Sequence, residues 1–368
     1  MSFFLMKPKI YFNSSMEKVF IESRIEKVCI ITDSTIKQLK LVEMLEDILK
    51  KLKVDYFIYS DIELDPSVES IKKGIVHIVK KNPKWIVALG GGSVIDSAKS
   101  INYFLNKLER ETFMIAIPTT TGTGAEVTSY AVLTDRENSL KIPLKDEFLI
   151  PDIAIITDEF TKLLPKNVIA EGGLDALTHS IEAYTSKQGN FYTRVYAGEA
   201  LKLIFKNLLV MYNDVSNAES RLNMAKASCL AGISFDKSGL GINHSLAHFI
   251  GARYQIPHGK CNGIILPYII KYNSKDLETA RLYRDISKEL GLPAKTIEEG
   301  VFSLIKWIEI MKEEMCISKR LRDLGIEKEE YMRLIPDIIE AAKKDICTAG
   351  NVRDIENSDF KRLIEELY

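Results

Sequence analysis

Only five histidines occur in this 368-residue chain, and four of them, His179, His244, His248 and His258, lie between positions 179 and 258. Asp175 precedes His179 by four residues in Leu174-Asp175-Ala176-Leu177-Thr178-His179. On a helix that spacing puts carboxylate and imidazole on one face, one turn apart, where they can share a cation. His244 and His248 repeat the spacing, and His258 follows in Pro257-His258-Gly259. Imidazoles with a carboxylate form an N/O donor set that suits Fe²⁺ or Zn²⁺. A lone imidazole in an apolar helix is more often packed than ligating, which is the reading for His77 within Ile71 to Val79. Glu182, one turn beyond His179, is either a support for a ligand or a solvated carboxylate.

Two further stretches could hold an anion. Gly90-Gly91-Gly92-Ser93 follows an apolar run and opens a helical pattern from Val94 to Phe104. Glycines let the backbone pass close to a phosphate, and the free N–H groups of a helix start favour its charge. This is not the GxGxxG fingerprint, and it lies too far from the first strand pattern for a standard first turn. The second stretch, Pro118-Thr119-Thr120-Thr121-Gly122-Thr123-Gly124-Ala125-Glu126, follows the apolar run Met114 to Ile117 and offers hydroxyls and bare amides.

The elements that would position these groups are of two kinds. From Lys27 to about Ala116, the runs Val28-Cys29-Ile30-Ile31, Tyr56-Phe57-Ile58-Tyr59 and Trp85-Ile86-Val87-Ala88-Leu89 alternate with helical patterns, the first continuing through Lys53 and the second from Ser67 to Lys81. Strands alternating with helices give a parallel sheet, and apolar runs without polar alternation fit a sheet covered on both faces. After about Lys162 the strand signal ends and 3.6-residue periodicity continues, as in Ala197 to Leu209 and Ser220 to Ile233. With a break near Leu164-Pro165, the expected organisation is an α/β nucleotide-binding domain over 1–162 and an all-helical domain over 163–368.

Composition removes several classes of function. Fifty Lys and Arg against 51 Asp and Glu leave a net charge of −1, so no basic footprint points to nucleic acid or anionic lipid. Hydrophobic residues at 46% with 27% charged fit a folded globular chain and exclude intrinsic disorder. Five scattered cysteines without CxxC spacing imply neither a disulfide framework nor a thiolate zinc site, and fit a reducing compartment. No apolar stretch reaches membrane-spanning length, and the expected location is the cytoplasm.

Four segments together resemble the iron-containing (group III) alcohol dehydrogenases: Gly90 to Lys99, Pro118 to Ser129, Gly173 to Tyr184, and Gly241-Ile242-Asn243-His244 through Gly259. The resemblance covers nearly the whole chain. It implies a Rossmann-like, mostly parallel domain, an all-α metal-binding domain in a dehydroquinate synthase-like fold, and a catalytic metal in the cleft between them. The family's metal ligands fall on Asp175, His179, His244 and His258, and its non-ligand histidine near the nicotinamide on His248. Cofactor contacts fall on Asp33, Asp65, Gly90, Gly91, Gly92, Ser93, Asp96, Thr119, Thr120, Thr123, Thr128 and Lys141, and the substrate pocket on Phe235 and Cys347. A carboxylate at Asp33 would accept from a ribose 2′-OH and repel a 2′-phosphate, favouring NAD over NADP.

What the resemblance implies is reversible hydride transfer between NAD(H) and a short-chain primary alcohol or aldehyde, with Fe²⁺ or Zn²⁺ as Lewis acid. Within the family, Leu64-Asp65-Pro66-Ser67 and Ala231 to Phe235 look most like 1-propanol and ethanol dehydrogenases of bacterial microcompartments. This implies aldehyde reduction in fermentation, a shell or an aldehyde dehydrogenase as partner, and a homodimer or higher assembly in which Ile10-Tyr11-Phe12 could be an exchanged edge strand. The alternatives are a glycerol or diol dehydrogenase, a dehydroquinate synthase and, from another class, a non-catalytic metal-stabilised scaffold or shell-associated binding protein. A synthase needs a basic cluster for its substrate, and around His244 to His258 there are only Arg253 and Lys260.

Overall fold

The computed structural model describes residues 6–12, 15–135 and 140–368, and all of their side chains except those of Asp135, Leu140 and Lys141. The chain divides into two compact units, Met1–Leu163 and Leu164–Tyr368.

The first unit carries strands β1 (Lys9–Phe12), β2 (Lys27–Ile31), β3 (Asp55–Tyr59), β4 (Trp85–Gly90), β5 (Phe113–Pro118), a hairpin of β6 (Tyr130–Asp135) and β7 (Leu140–Lys145), and β8 (Ile153–Ile156). Its helices are α1 (Met16–Glu22), α2 (Ser34–Gln38), α3 (Leu41–Lys51), α4 (Val68–Lys81) and α5 (Gly92–Lys107). The six-stranded sheet has the order β1-β8-β5-β4-β2-β3 with every pairing parallel, so it is Rossmann-like. Successive residues of β2 enter opposite cores. Val28 and Ile30 pack with residues of α1 and α3, and Cys29 and Ile31 with residues of α4 and α5. Burial on both faces is why the strands read as unbroken apolar runs.

The chain leaves β2 toward β3 on one side and leaves β4 toward β5 on the other. The loops after β2 and β4 therefore part at a topological switch point, where open α/β sheets bind ligands. Thr32 Oγ1 donates to Leu89 O (2.8 Å) and ties these two strand ends together.

Three local features differ from the sequence reading. The helical pattern leading to Lys53 is two helices. Asp33 caps the first by accepting from Ile36 N (2.8 Å), and Lys40 then takes a left-handed conformation (φ 57°) that turns Leu41, Val42, Leu45 and Leu49 toward the sheet. The β6–β7 hairpin was not legible as strands. Ile10-Tyr11-Phe12 falls in the edge strand β1, which pairs with β8, a strand that the sequence reading did not place.

The second unit is helical: α6 (Lys166–Thr185), α7 (Phe191–Asn213), α8 (Ala218–Ser238), α9 (Ile242–Tyr254), α10 (His258–Asn273), α11 (Leu277–Glu289), α12 (Ile297–Glu314), α13 (Lys328–Arg333), α14 (Ile335–Lys344) and α15 (Asn357–Leu367). Every residue of α6 from Gly173 to Thr185 is buried. Polar side chains on such a helix must find partners within the protein, which directs attention to Asp175, His179 and Glu182. The first turn of α10 lies directly on α6: a Cβ at Gly259 would stand 1.9 Å from Glu171 O. Only glycine permits that approach. Among the described residues no helix is long and apolar enough to cross a membrane.

Candidate metal centre and cofactor loops

Helix α6 supplies Asp175 and His179, α9 supplies His244, and α10 begins at His258 after its N-cap Pro257. Asp175 Oδ1 lies 3.4 Å from His258 Nε2, 3.8 Å from His244 Nε2 and 3.9 Å from His179 Nε2. Two donors each ~2.1 Å from one ion at a tetrahedral angle stand about 3.4 Å apart, and Asp175, His244 and His258 bring their ligand atoms within 4.8 Å of one another. The rings of His179 and His244 stack at 4.7 Å, and those of His244 and His258 meet at 5.4 Å. The donor set therefore fits a divalent ion.

The charged groups of the site also act strongly on one another. Burial opposes ionisation of Asp175, but the imidazoles of His179, His258 and His244 outweigh it and hold the carboxyl well below its usual range. His258 is pushed down, first by loss of solvent and then by the other imidazoles, against the pull of Asp175. Its side chain is nevertheless 43% exposed. Burial also lowers His244, but its hydrogen bonds to Asp175 and Glu182 prevail and raise it to about 9.

The structure decides between the two readings of Glu182. Its side chain is 6% exposed, and Oε2 lies 2.5 Å from Nδ1 of His244, so it is not a solvated carboxylate. Asn262 was missed in the sequence. Its Nδ2 donates to Asp175 Oδ1 (2.9 Å) and lies 3.1 Å from Nε2 of both His244 and His258. It follows His258 by four residues on α10, the spacing already used for Asp175 and His179, but an amide draws less notice than an imidazole.

His248 sits one turn beyond His244, 44% exposed, with its ring stacked on that of His258 at 5.2 Å. Its Nδ1 pairs with Asp345 Oδ2 (2.7 Å), a second residue that the sequence reading missed. Burial would raise Asp345, but the bond to His248 prevails and lowers it to about 2. Asp345 Oδ1 accepts from Cys347 N (2.8 Å), and burial with the nearby carboxylates pushes the Cys347 thiol well up, so it stays protonated. Phe235 stacks on His179 at 4.3 Å.

In the first unit, the other expected residues gather at the carboxyl ends of the strands. Asp33 follows β2, exposed Asp65 follows β3, Gly90 ends β4 with Gly91 to Ser93 opening α5, and Thr119, Thr120 and Thr123 follow β5. The two loops touch. Thr119 N donates to Gly90 O (3.0 Å), and a Cβ at Gly92 would stand 2.9 Å from Thr123 Cγ2. Gly91 is the N-cap of α5 and has no side chain to satisfy the helix amides, which therefore remain available to an anion. Ser93 donates its hydroxyl to Leu64 O. Asp96 accepts from Val132 N (3.1 Å), and the buried Thr128 hydroxyl accepts from Lys99 Nζ (2.9 Å), so both brace the hairpin against α5. The Lys141 side chain lies outside the described residues.

Residues 8–158 match the family model for iron-containing alcohol dehydrogenases, and 169–368 match its C-terminal counterpart. The chain belongs to the iron-containing alcohol dehydrogenase family. It is 34% identical to the NADPH-dependent butanol dehydrogenase of Clostridium saccharobutylicum, over the whole chain and 98% of that relative. It is 32% identical to a 1-propanol dehydrogenase of Citrobacter freundii over the full length of both. Its fold matches a solved 1,3-propanediol oxidoreductase with a TM-score of 0.93 and 26% identity over all of both chains. This alcohol dehydrogenase thus has the parallel sheet and helical unit that its motifs implied.

Proposed function

We propose that this alcohol dehydrogenase reduces short primary aldehydes with NADH, using one divalent ion, Fe²⁺ in preference to Zn²⁺, held by Asp175, His179, His244 and His258. The observation that carries the reading is the convergence on Asp175 Oδ1 of three imidazole nitrogens within 3.9 Å. When bound, the ion supplies Lewis acidity to the substrate oxygen and the nicotinamide supplies the hydride. Phe235 gives the substrate an apolar wall beside His179. His248, held through Nδ1 by Asp345, presents its other nitrogen for a proton moving to or from the substrate oxygen. Cys347, protonated, lines the pocket without acting as a nucleophile.

In this reading residues 1–162 bind the dinucleotide and 163–368 bind metal and substrate. The loops around Gly90 to Ser93 and Thr119 to Thr123 take the pyrophosphate, while Asp65, Asp96, Thr128 and Lys141 complete or brace the cofactor site. The enzyme works in the cytoplasm as a homodimer or larger assembly. Reduction needs a source of free aldehyde, so an aldehyde-forming dehydrogenase is its natural partner, and a shared microcompartment would confine that volatile intermediate.

Asp33 sets the preference for NAD. Asn keeps the helix cap that Asp33 provides at Ile36 but removes the charge that repels a 2′-phosphate. Asp33→Asn should therefore raise the ratio of kcat/KM for NADPH to that for NADH by about tenfold or more. An unchanged ratio removes Asp33 from cofactor selection.

The reading is tested by stripping the protein of metal and reconstituting it anaerobically with Fe²⁺ or Zn²⁺. NADH absorbance is then followed with acetaldehyde, propionaldehyde, butyraldehyde and dihydroxyacetone. Metal-dependent turnover of the simple aldehydes is expected. Preference for dihydroxyacetone would move the assignment to a glycerol or diol dehydrogenase. Absence of turnover with every carbonyl, despite bound metal and NADH, would favour the non-catalytic scaffold.

A further inference from the structure

Glu182 does two things at the start of α9. Oε1 accepts the backbone N–H of Asn243 (2.9 Å), one of the amides that a helix start leaves without an internal partner. Oε2 lies 2.5 Å from Nδ1 of the next residue, His244. The backbone makes room for this carboxylate: Gly241, the N-cap of α9, has no side chain, and a Cβ there would stand 2.6 Å from Glu182 Oε1. Glu182 reaches this point because it lies seven residues after Asp175 and three after His179, so two turns of one buried helix carry all three groups. With both oxygens engaged by α9, the carboxylate has little freedom, and neither has the ring it holds.

We propose that Glu182 is a positioning residue for the metal, acting through His244: it fixes the imidazole's orientation and keeps the ring proton on Nδ1, so that Nε2 offers its lone pair beside Asp175 and His258. This rests on the metal-centre reading above. A neutral imidazole carries its proton on one nitrogen only, and whichever group the other nitrogen bonds decides which. A carboxylate can only accept, so it selects the Nδ1–H form. Nε2 of His244, 3.8 Å from Asp175 Oδ1, is then the ligating atom. Such outer carboxylates typically contribute a factor of about 10–100 in metal affinity.

Glu182→Gln separates the two tasks of this residue. The amide oxygen still caps Asn243, while the amide nitrogen donates to His244 Nδ1 and drives the proton to Nε2, the wrong side for a metal. We expect the variant to fold and bind NADH as wild type does. Its Zn²⁺ or Co²⁺ affinity, measured by competition with a chelating indicator, should fall about 10–100-fold. Glu182→Asp, which restores a carboxylate, should recover part of the loss. Wild-type affinity in Glu182→Gln would show that Glu182 only caps the helix and would overturn the proposal. A measurement on the wild type guards against a variant that fails to fold. Nitrogen-15 histidine spectra of the zinc-loaded protein should show His244 protonated at Nδ1, and a proton on Nε2 would overturn the proposal regardless of the variants. If the wild type binds no metal, the metal-centre reading itself fails, and that outcome is read from a different sample.

Discussion

His258→Ala should bind NADH as wild type does and reduce propionaldehyde about a thousandfold more slowly or worse. His258 stands at the first position of α10 with 43% of its side chain exposed, so its removal leaves no core cavity. What it removes is the imidazole nearest Asp175, at 3.4 Å. Loss of a Lewis acid forfeits several kcal/mol of transition-state stabilisation, and about 4 kcal/mol is roughly a thousandfold in rate. Metal content and turnover should fall together while the NADH titration is unmoved. A variant that keeps its turnover would remove His258 from the ligand set.

Gly259→Ala should damage both the fold and the metal site. The added Cβ would stand 1.9 Å from Glu171 O, 2.7 Å from Glu171 C and 3.0 Å from Asp175 Cβ. The first two are backbone atoms of α6 and cannot rotate aside, so α10 must shift off α6. Overpacking of this kind costs about 3 kcal/mol or more, which is roughly 10 °C in Tm for a unit of this size. Because Gly259 adjoins His258 and touches Asp175, the shift also separates two of the proposed ligands, and metal should be lost at concentrations that saturate the wild type. Wild-type melting and metal content would show that the two helices are less tightly apposed than described.

The parts of this account legible in the sequence are those where one residue type repeats at a helical or strand period. Asp175 and His179 at i and i+4 announce a shared face, and the unbroken runs at Val28 to Ile31 and Trp85 to Leu89 announce strands buried on both sides. The parts that stayed hidden depend on tertiary placement. Lys40 splits one periodic stretch into two helices by a single left-handed residue, which no apolar pattern marks. Asp345 is nearly a hundred positions from His248, and only the packing of their segments makes them partners. Asn262 hides for another reason, since periodicity does not report an amide that donates to the carboxylate of Asp175. Glu182 falls between these cases: its spacing from His179 was plain, but its burial against α9 decides what it does.

The central claim is that one divalent ion is held by a single carboxylate and three imidazoles of the helical unit. Anomalous diffraction from crystals of the zinc- or iron-loaded protein tests it most directly. The account predicts one anomalous peak per chain, about 2.0–2.2 Å from an Asp175 oxygen and from Nε2 of His179, His244 and His258. A peak instead at a second group of metal-binding side chains among the described residues, His248 with Asp345 and Cys347, or no peak in protein that turns over aldehyde, would contradict it.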